Sequence, residues 1–94
     1  MKLIWSPTAL ADLEAIRTYI AENNASASLK VARKIRAAVE GLCDFPAAGR
    51  AGRVPETREL AIAGTAYIAA YTVTAADVRI AAILHGSRNW PGSF

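Results

Sequence analysis

Apolar and polar positions follow three different rhythms along this chain. "KLIW" (residues 2–5) is a short apolar run and reads as a strand. From Ser6-Pro7 the rhythm becomes helical: serine suits the cap and proline the first helical position. Leu10, Leu13, Ile16 and Ile20 then recur at helical spacing, with Asp12 and Glu14 in the early turns, where negative charge favours the helix dipole. Asn23-Asn24 is turn-prone and predicts the stop. A second helix is predicted from a cap at Ser26 or Ser28. Its apolar stripe is Val31, Ala32, Ile35, Val39 and Leu42, with Lys30, Arg33 and Arg36 mostly on the far side; Gly41 weakens the last turn and Pro46 ends the pattern. So short a turn predicts an antiparallel helix hairpin.

After the loop "FPAAGRAGRVPE" (45–56) the rhythm turns strand-like three times: "TRELAI" (57–62), "AYIAAYTV" (66–73) and "VRIAAILHG" (78–86). Gly64-Thr65 and Ala75-Ala76-Asp77 can turn the chain between them, which predicts an antiparallel meander. The expected fold is α+β, a single small domain over residues 1–94 with the order β-α-α-β-β-β. The helix hairpin packs on one side of a small antiparallel sheet, and the other side, with the tail, is left for function.

Length and composition narrow the picture. Ninety-four residues make one domain with a modest core, and 53% hydrophobic with 20% charged residues fits a globular chain. The net charge of +3 permits an anionic partner without requiring one, and most of the eleven basic residues are arginine, which suits planar contact with carboxylate or phosphate. Cys43 is the single cysteine, so no intrachain disulfide forms and a reducing cytoplasm is the expected location. The opening does not read as a signal peptide, and no apolar stretch reaches the length of a membrane span.

No nucleophile triad is evident. Cys43, near the end of an apolar helix, reads as a buried small hydrophobe. One histidine and scattered carboxylates argue against a metal, and no cofactor is indicated. "GRAGR" looks like a phosphate loop only superficially, since no apolar strand run leads into it. What remains is basic and aromatic: Arg50 and Arg53 in the loop, Arg58 at a strand start, Tyr67 and Tyr71 on one face of the middle strand. Arg79, Ile83 and His85 are expected on one face of the last strand, with Arg88 and Trp90 beyond it. In a meander, Arg58, Tyr71 and the His85 region could converge on one surface. The plainer reading makes these solvated strand-end charges and half-buried sheet tyrosines.

"IWSPTALADLEAIRTYI", "GRVPETREL" and above all the ending "LHGSRNWP" resemble the RelE/ParE superfamily of toxins from bacterial type II toxin–antitoxin modules, closest to ParE-like plasmid-stabilisation proteins. The resemblance runs over nearly the whole chain. It implies a helix hairpin against a small sheet. It also implies an antitoxin partner, often acidic, whose disordered tail folds across the toxin to give a hetero-oligomer.

Two activities divide that superfamily, cleavage of messenger RNA in the ribosomal A site and poisoning of DNA gyrase. RelE-like nucleases resemble one another in a basic residue three positions before the middle-strand tyrosine; that position falls on Ile68 here, with Tyr71 as the tyrosine. Many carry a tyrosine near the C terminus, where this chain ends in Phe94, which lacks a hydroxyl. Arg88 matches an arginine common just past their last strand. In the nuclease reading Arg58 and Arg88 would hold phosphate and His85 would move a proton. In the gyrase reading Arg50, Arg53, Arg58, Tyr67, Tyr71, Arg79, His85, Arg88 and Trp90 supply partner and target contacts, with no catalytic residue. A non-toxic relic that only binds antitoxin is the third reading.

Overall fold

The computed structural model describes residues 1–94. Seven elements follow in order: β1 (Lys2–Trp5), α1 (Pro7–Ala21), α2 (Ala25–Gly41), β2 (Arg50–Ala51), β3 (Arg58–Ala61), β4 (Tyr67–Val73) and β5 (Asp77–His85). They form one five-stranded sheet, β1-β5-β4-β3-β2, with the helix hairpin on one face. The predicted α+β fold is therefore present, with two differences. The sheet is mixed: β1 runs parallel to β5, Leu3 opposite Val78 and Trp5 opposite Ile80. The helices form the crossover that a parallel neighbour requires. In addition, the 45–56 loop contributes the two-residue strand β2 beside β3.

Local chemistry accounts for the helices. Ser6 caps α1 by accepting from the Ala9 N–H at 2.9 Å, with Pro7 at the first turn. The cap of α2 is Asn24, which accepts from the Ala27 N–H at 3.0 Å, and not Ser26 or Ser28. Ser28 is one turn inside the helix, buried, and its hydroxyl donates to the Arg17 carbonyl at 2.7 Å, joining the two helices.

The core lies between hairpin and sheet. Leu13 and Ile16 of α1 and Ala32, Ile35 and Val39 of α2 meet Ala69, Tyr71, Val78, Ile80 and Ile83 of the sheet. The predicted stripe of α1 is displaced: Leu10 is 51% exposed, and Ala9, fully buried, faces the sheet instead. The early turns run so close to β5 that only a small side chain fits. Cys43 sits half-buried in the turn after α2.

β5 departs from simple alternation. Ala70 pairs with Ala82 but Tyr71 with Ile80, so Ala81 is an extra residue, a β-bulge. One extra residue inverts which side chains face which way. Hence Arg79 lies on the face away from the helices, while Ile83 and His85 lie on the helix side. The three do not share a face as strict alternation predicted.

Candidate functional site

The predicted site residues fall into two separate regions. The first is a groove of about 510 Å³ on the helix side, between α1 and the end of the sheet. Ala15, Ile16 and Tyr19 form one wall; Tyr67, His85 and Arg88 form the other. The Tyr67 and His85 rings meet edge to face at 5.5 Å, as cross-strand partners. The backbone N–H of Ser87 donates to His85 Nδ1 at 3.1 Å, and the Ser87 hydroxyl lies 2.7 Å from the same nitrogen. An N–H donor there fixes the neutral ring as the Nε2–H tautomer. The Arg88 backbone N–H closes the turn onto the His85 carbonyl at 3.1 Å, while its exposed guanidinium pairs with no carboxylate.

Asp12 lines this groove too, with a structural task. Where β1 ends, β5 loses its neighbour. Ser6 donates its N–H to the Ile80 carbonyl at 2.9 Å and its hydroxyl to the Ala81 carbonyl at 2.8 Å, and Asp12 accepts from the Ile83 N–H at 3.0 Å. Side chains at the start of α1 thus continue the edge that β1 leaves. An early-turn acid reads as dipole chemistry in sequence, so this task was not visible there.

The second region lies on the opposite face of the sheet. Glu59 is 3% exposed, and no sequence motif singles it out. Arg53 grips it with Nε to Oε2 and Nη2 to Oε1, both at 3.1 Å, and with its backbone N–H at 2.7 Å. Arg50 Nη2 adds a contact at 3.1 Å. Burial alone would raise the Glu59 pKa. The hydrogen bonds from Arg53 side chain and backbone and from Arg50, with the charge of Arg53, outweigh it and hold the carboxyl at about 2. Arg53 also lies over the Trp90 ring, 3.8 Å from its centroid, and Trp90 meets Phe94 edge to face at 6.4 Å. Arg79, on the same face, pairs with Asp77 at 3.1 Å. The sequence signal for Glu59 was a lone acid in an apolar strand run, shortly after two loop arginines.

Tyr71 belongs to neither region. It is fully buried; its hydroxyl donates to the Pro46 carbonyl at 2.8 Å and accepts from the Gly49 N–H at 2.9 Å. Arg58, its cross-strand partner, donates to the Gly49 carbonyl at 2.8 Å. Both hold the loop after α2 against the sheet. A Cβ on Gly49 would stand 2.6 Å from the Tyr71 hydroxyl oxygen, so close approach explains that glycine of "GRAGR". Arg58 and His85 lie at opposite ends of the sheet, since Tyr71 and Tyr67 are four residues apart on β4, about 13 Å by strand rise. No three His, Cys, Asp or Glu side chains gather closely enough to hold a metal ion, and no helix is long and apolar enough to cross a membrane.

The sequence profile for the ParE toxin of the type II toxin–antitoxin system parDE matches residues 3–90, spanning both helices, the sheet and Trp90. The chain belongs to the ParE toxin family. Among relatives of this ParE-family chain, the Sinorhizobium fredii protein named "Putative toxin Y4kP" is 37% identical over 90 residues, covering 96% of this chain and 93% of the relative. Toxin RelE2 of Caulobacter vibrioides is 33% identical over 87 residues, covering 93% and 97%. A solved structure titled as the chromosomal ParDE TA system from P. aeruginosa superposes with a TM-score of 0.78 at 30% identity, covering 88% of this chain and 92% of that one. The ParE-family chain is thus a toxin of a type II toxin–antitoxin system, and its family implies an antitoxin partner.

Proposed function

We propose that this toxin acts by binding a protein target, DNA gyrase, in the cytoplasm, and that a cognate antitoxin holds it inactive. The observation that carries the reading is the scatter of the groups that RNA cleavage would need. General acid–base cleavage needs a proton acceptor for the 2′-hydroxyl, a donor for the leaving oxygen and cations on the scissile phosphate, all within reach of one another. Arg58 and Tyr71 hold a loop at one end of the sheet, and His85 and Arg88 line a groove at the other. In the neutral His85 ring Nδ1 is taken up by Ser87, and Nε2 carries the proton, so the ring presents a donor and not a base. Ile68 and Phe94 add no ionisable group. The groove between α1 and β5, with its free guanidinium, suits contact with a protein surface instead. The net charge of +3 suits an acidic antitoxin.

A supercoiling assay with purified gyrase tests this directly. The folded, antitoxin-free toxin should block supercoiling, and added antitoxin should restore it. Normal supercoiling at saturating toxin overturns the reading.

One observation favours ribosome-dependent cleavage of messenger RNA as a second reading: His85, Arg88, Tyr19 and Tyr67 share one groove, and the Caulobacter relative is named RelE2. It expects codon-positioned cuts on translating ribosomes, lost in His85→Ala. Intact message with the wild-type toxin removes it. Expression without toxicity in a host lacking the antitoxin would point instead to a protein that only binds antitoxin.

A further inference from the structure

The C-terminal segment after Arg88 folds back over the sheet face that the helices leave open. No hydrogen bond ties residues 89–94 to the rest of the chain; the last backbone bond is that of Arg88 to His85. One stacking contact ties the segment to the body, the Arg53 guanidinium over Trp90; a second, the Trp90–Phe94 edge contact, lies within the segment. Arg53 is itself fixed by its two-pronged bond to buried Glu59. A third feature opposes docking. The Trp90 indole nitrogen is out of water with no acceptor, while Pro91 to Phe94 stay exposed. Burying an unpaired donor is unfavourable, and release returns it to water.

Under the segment runs a second groove of about 510 Å³, with Ser93 and Phe94 on one side and Ile4, Val54, Thr72 and Arg79 among the residues on the other. Ile4, Thr72 and Arg79 are aligned across three strands on this face.

We propose that residues 89–94 form a two-state latch, in which Trp90 clips onto the Glu59-anchored Arg53 to close this face of the sheet and unclips to open it. The clip rests on one cation–π contact, with no hydrogen bond beside it and an unpaired indole N–H opposing it, so both states are populated and a partner that binds this face can displace the segment. Arg53 is the catch; Glu59 positions it by keeping its guanidinium plane in place. Arg50 shares the Glu59 carboxylate with Arg53 and does not stack on Trp90.

Trp90 can report on the latch in a Trp5→Phe background, where it is the single tryptophan. Two readouts follow the open state: acrylamide quenching of Trp90, and tryptic cleavage after Arg88 resolved by mass spectrometry. Arg53→Ala should lower the closed-to-open ratio about two- to fivefold, the size of one exposed cation–π contact. Quenching and cleavage should rise accordingly, with the far-ultraviolet circular dichroism unchanged. Arg53→Lys keeps the pairing with Glu59 and the fold but loses the planar stack, so it should release the segment part-way. Arg50→Ala should leave Trp90 as it was. The latch is overturned if Arg53→Lys leaves both readouts unchanged, or if Arg50→Ala moves them as far as Arg53→Ala does.

Discussion

Glu59 is the residue on which most of the loop-side structure turns. Its carboxyl is buried and its partners Arg50 and Arg53 are 67% and 42% exposed in their side chains. Removing the carboxylate therefore leaves cations that water can reach, which sets the loss near the lower end for breaking a buried pair. Glu59→Gln should destabilise the fold by about 2–3 kcal/mol in urea unfolding at pH 7. The same group gives an acid limb. Its pKa falls from 4.5 in the open chain to about 2 in the folded protein, so the stabilisation is fully present above pH 4.5. It is lost as the pH drops from there towards 2, where folded and unfolded chains both take up the proton. Unfolding free energies measured from pH 7 to pH 2 should show this decline in the wild type and a flatter one in Glu59→Gln. Tyr71→Phe deletes a hydroxyl that both donates to Pro46 and accepts from Gly49, and should cost about 1–3 kcal/mol by the same measurement.

Elements are joined here by a few side chains at their ends. Ser6 caps α1 and also bonds the β5 carbonyl of Ala81, so Ser6→Ala loses more than a cap and should cost about 2 kcal/mol, against about 1 for Asn24→Ala. Thermal unfolding of the two variants checks the ranking. The elements themselves were legible in sequence, because 3.6-residue and two-residue spacing and the Ser-Pro start are local signals. Three things were not. The parallel β1–β5 pair joins residues whose patterns say nothing of each other. The Ala81 bulge follows from fitting β5 to β4 and leaves no mark in "VRIAAILHG", so the expected face of Arg79 was inverted. Leu10 and Ala9 exchanged roles because the closeness of α1 to β5 is a property of the packed pair. The candidate residues were mostly legible by type, since arginines and aromatics stand out, but their partners were not. Glu59, Asp12 and Ser87 assign the roles of Arg53, the β5 edge and His85.

At the scale of the whole molecule, the two regions make separate predictions. Arg88 carries an unpaired charge at the mouth of the helix-side groove. If that groove meets the target, Arg88→Ala should weaken gyrase inhibition about tenfold or more, the loss of one charge-assisted contact, with the fold unchanged. Dose–response in the supercoiling assay measures it. The parallel pairing of the first and last strands has a consequence for synthesis. The edge of β5 receives β1 and Ser6 from 75 residues earlier in the chain. Nascent toxin on the ribosome holds its first strand without a neighbour until the last strand emerges. Long-range closure of this kind is slow compared with local helix formation. Translation therefore yields a chain that stays open along one side until β5 has emerged, and a truncated product that stops before β5 lacks the strand on which both candidate surfaces are built.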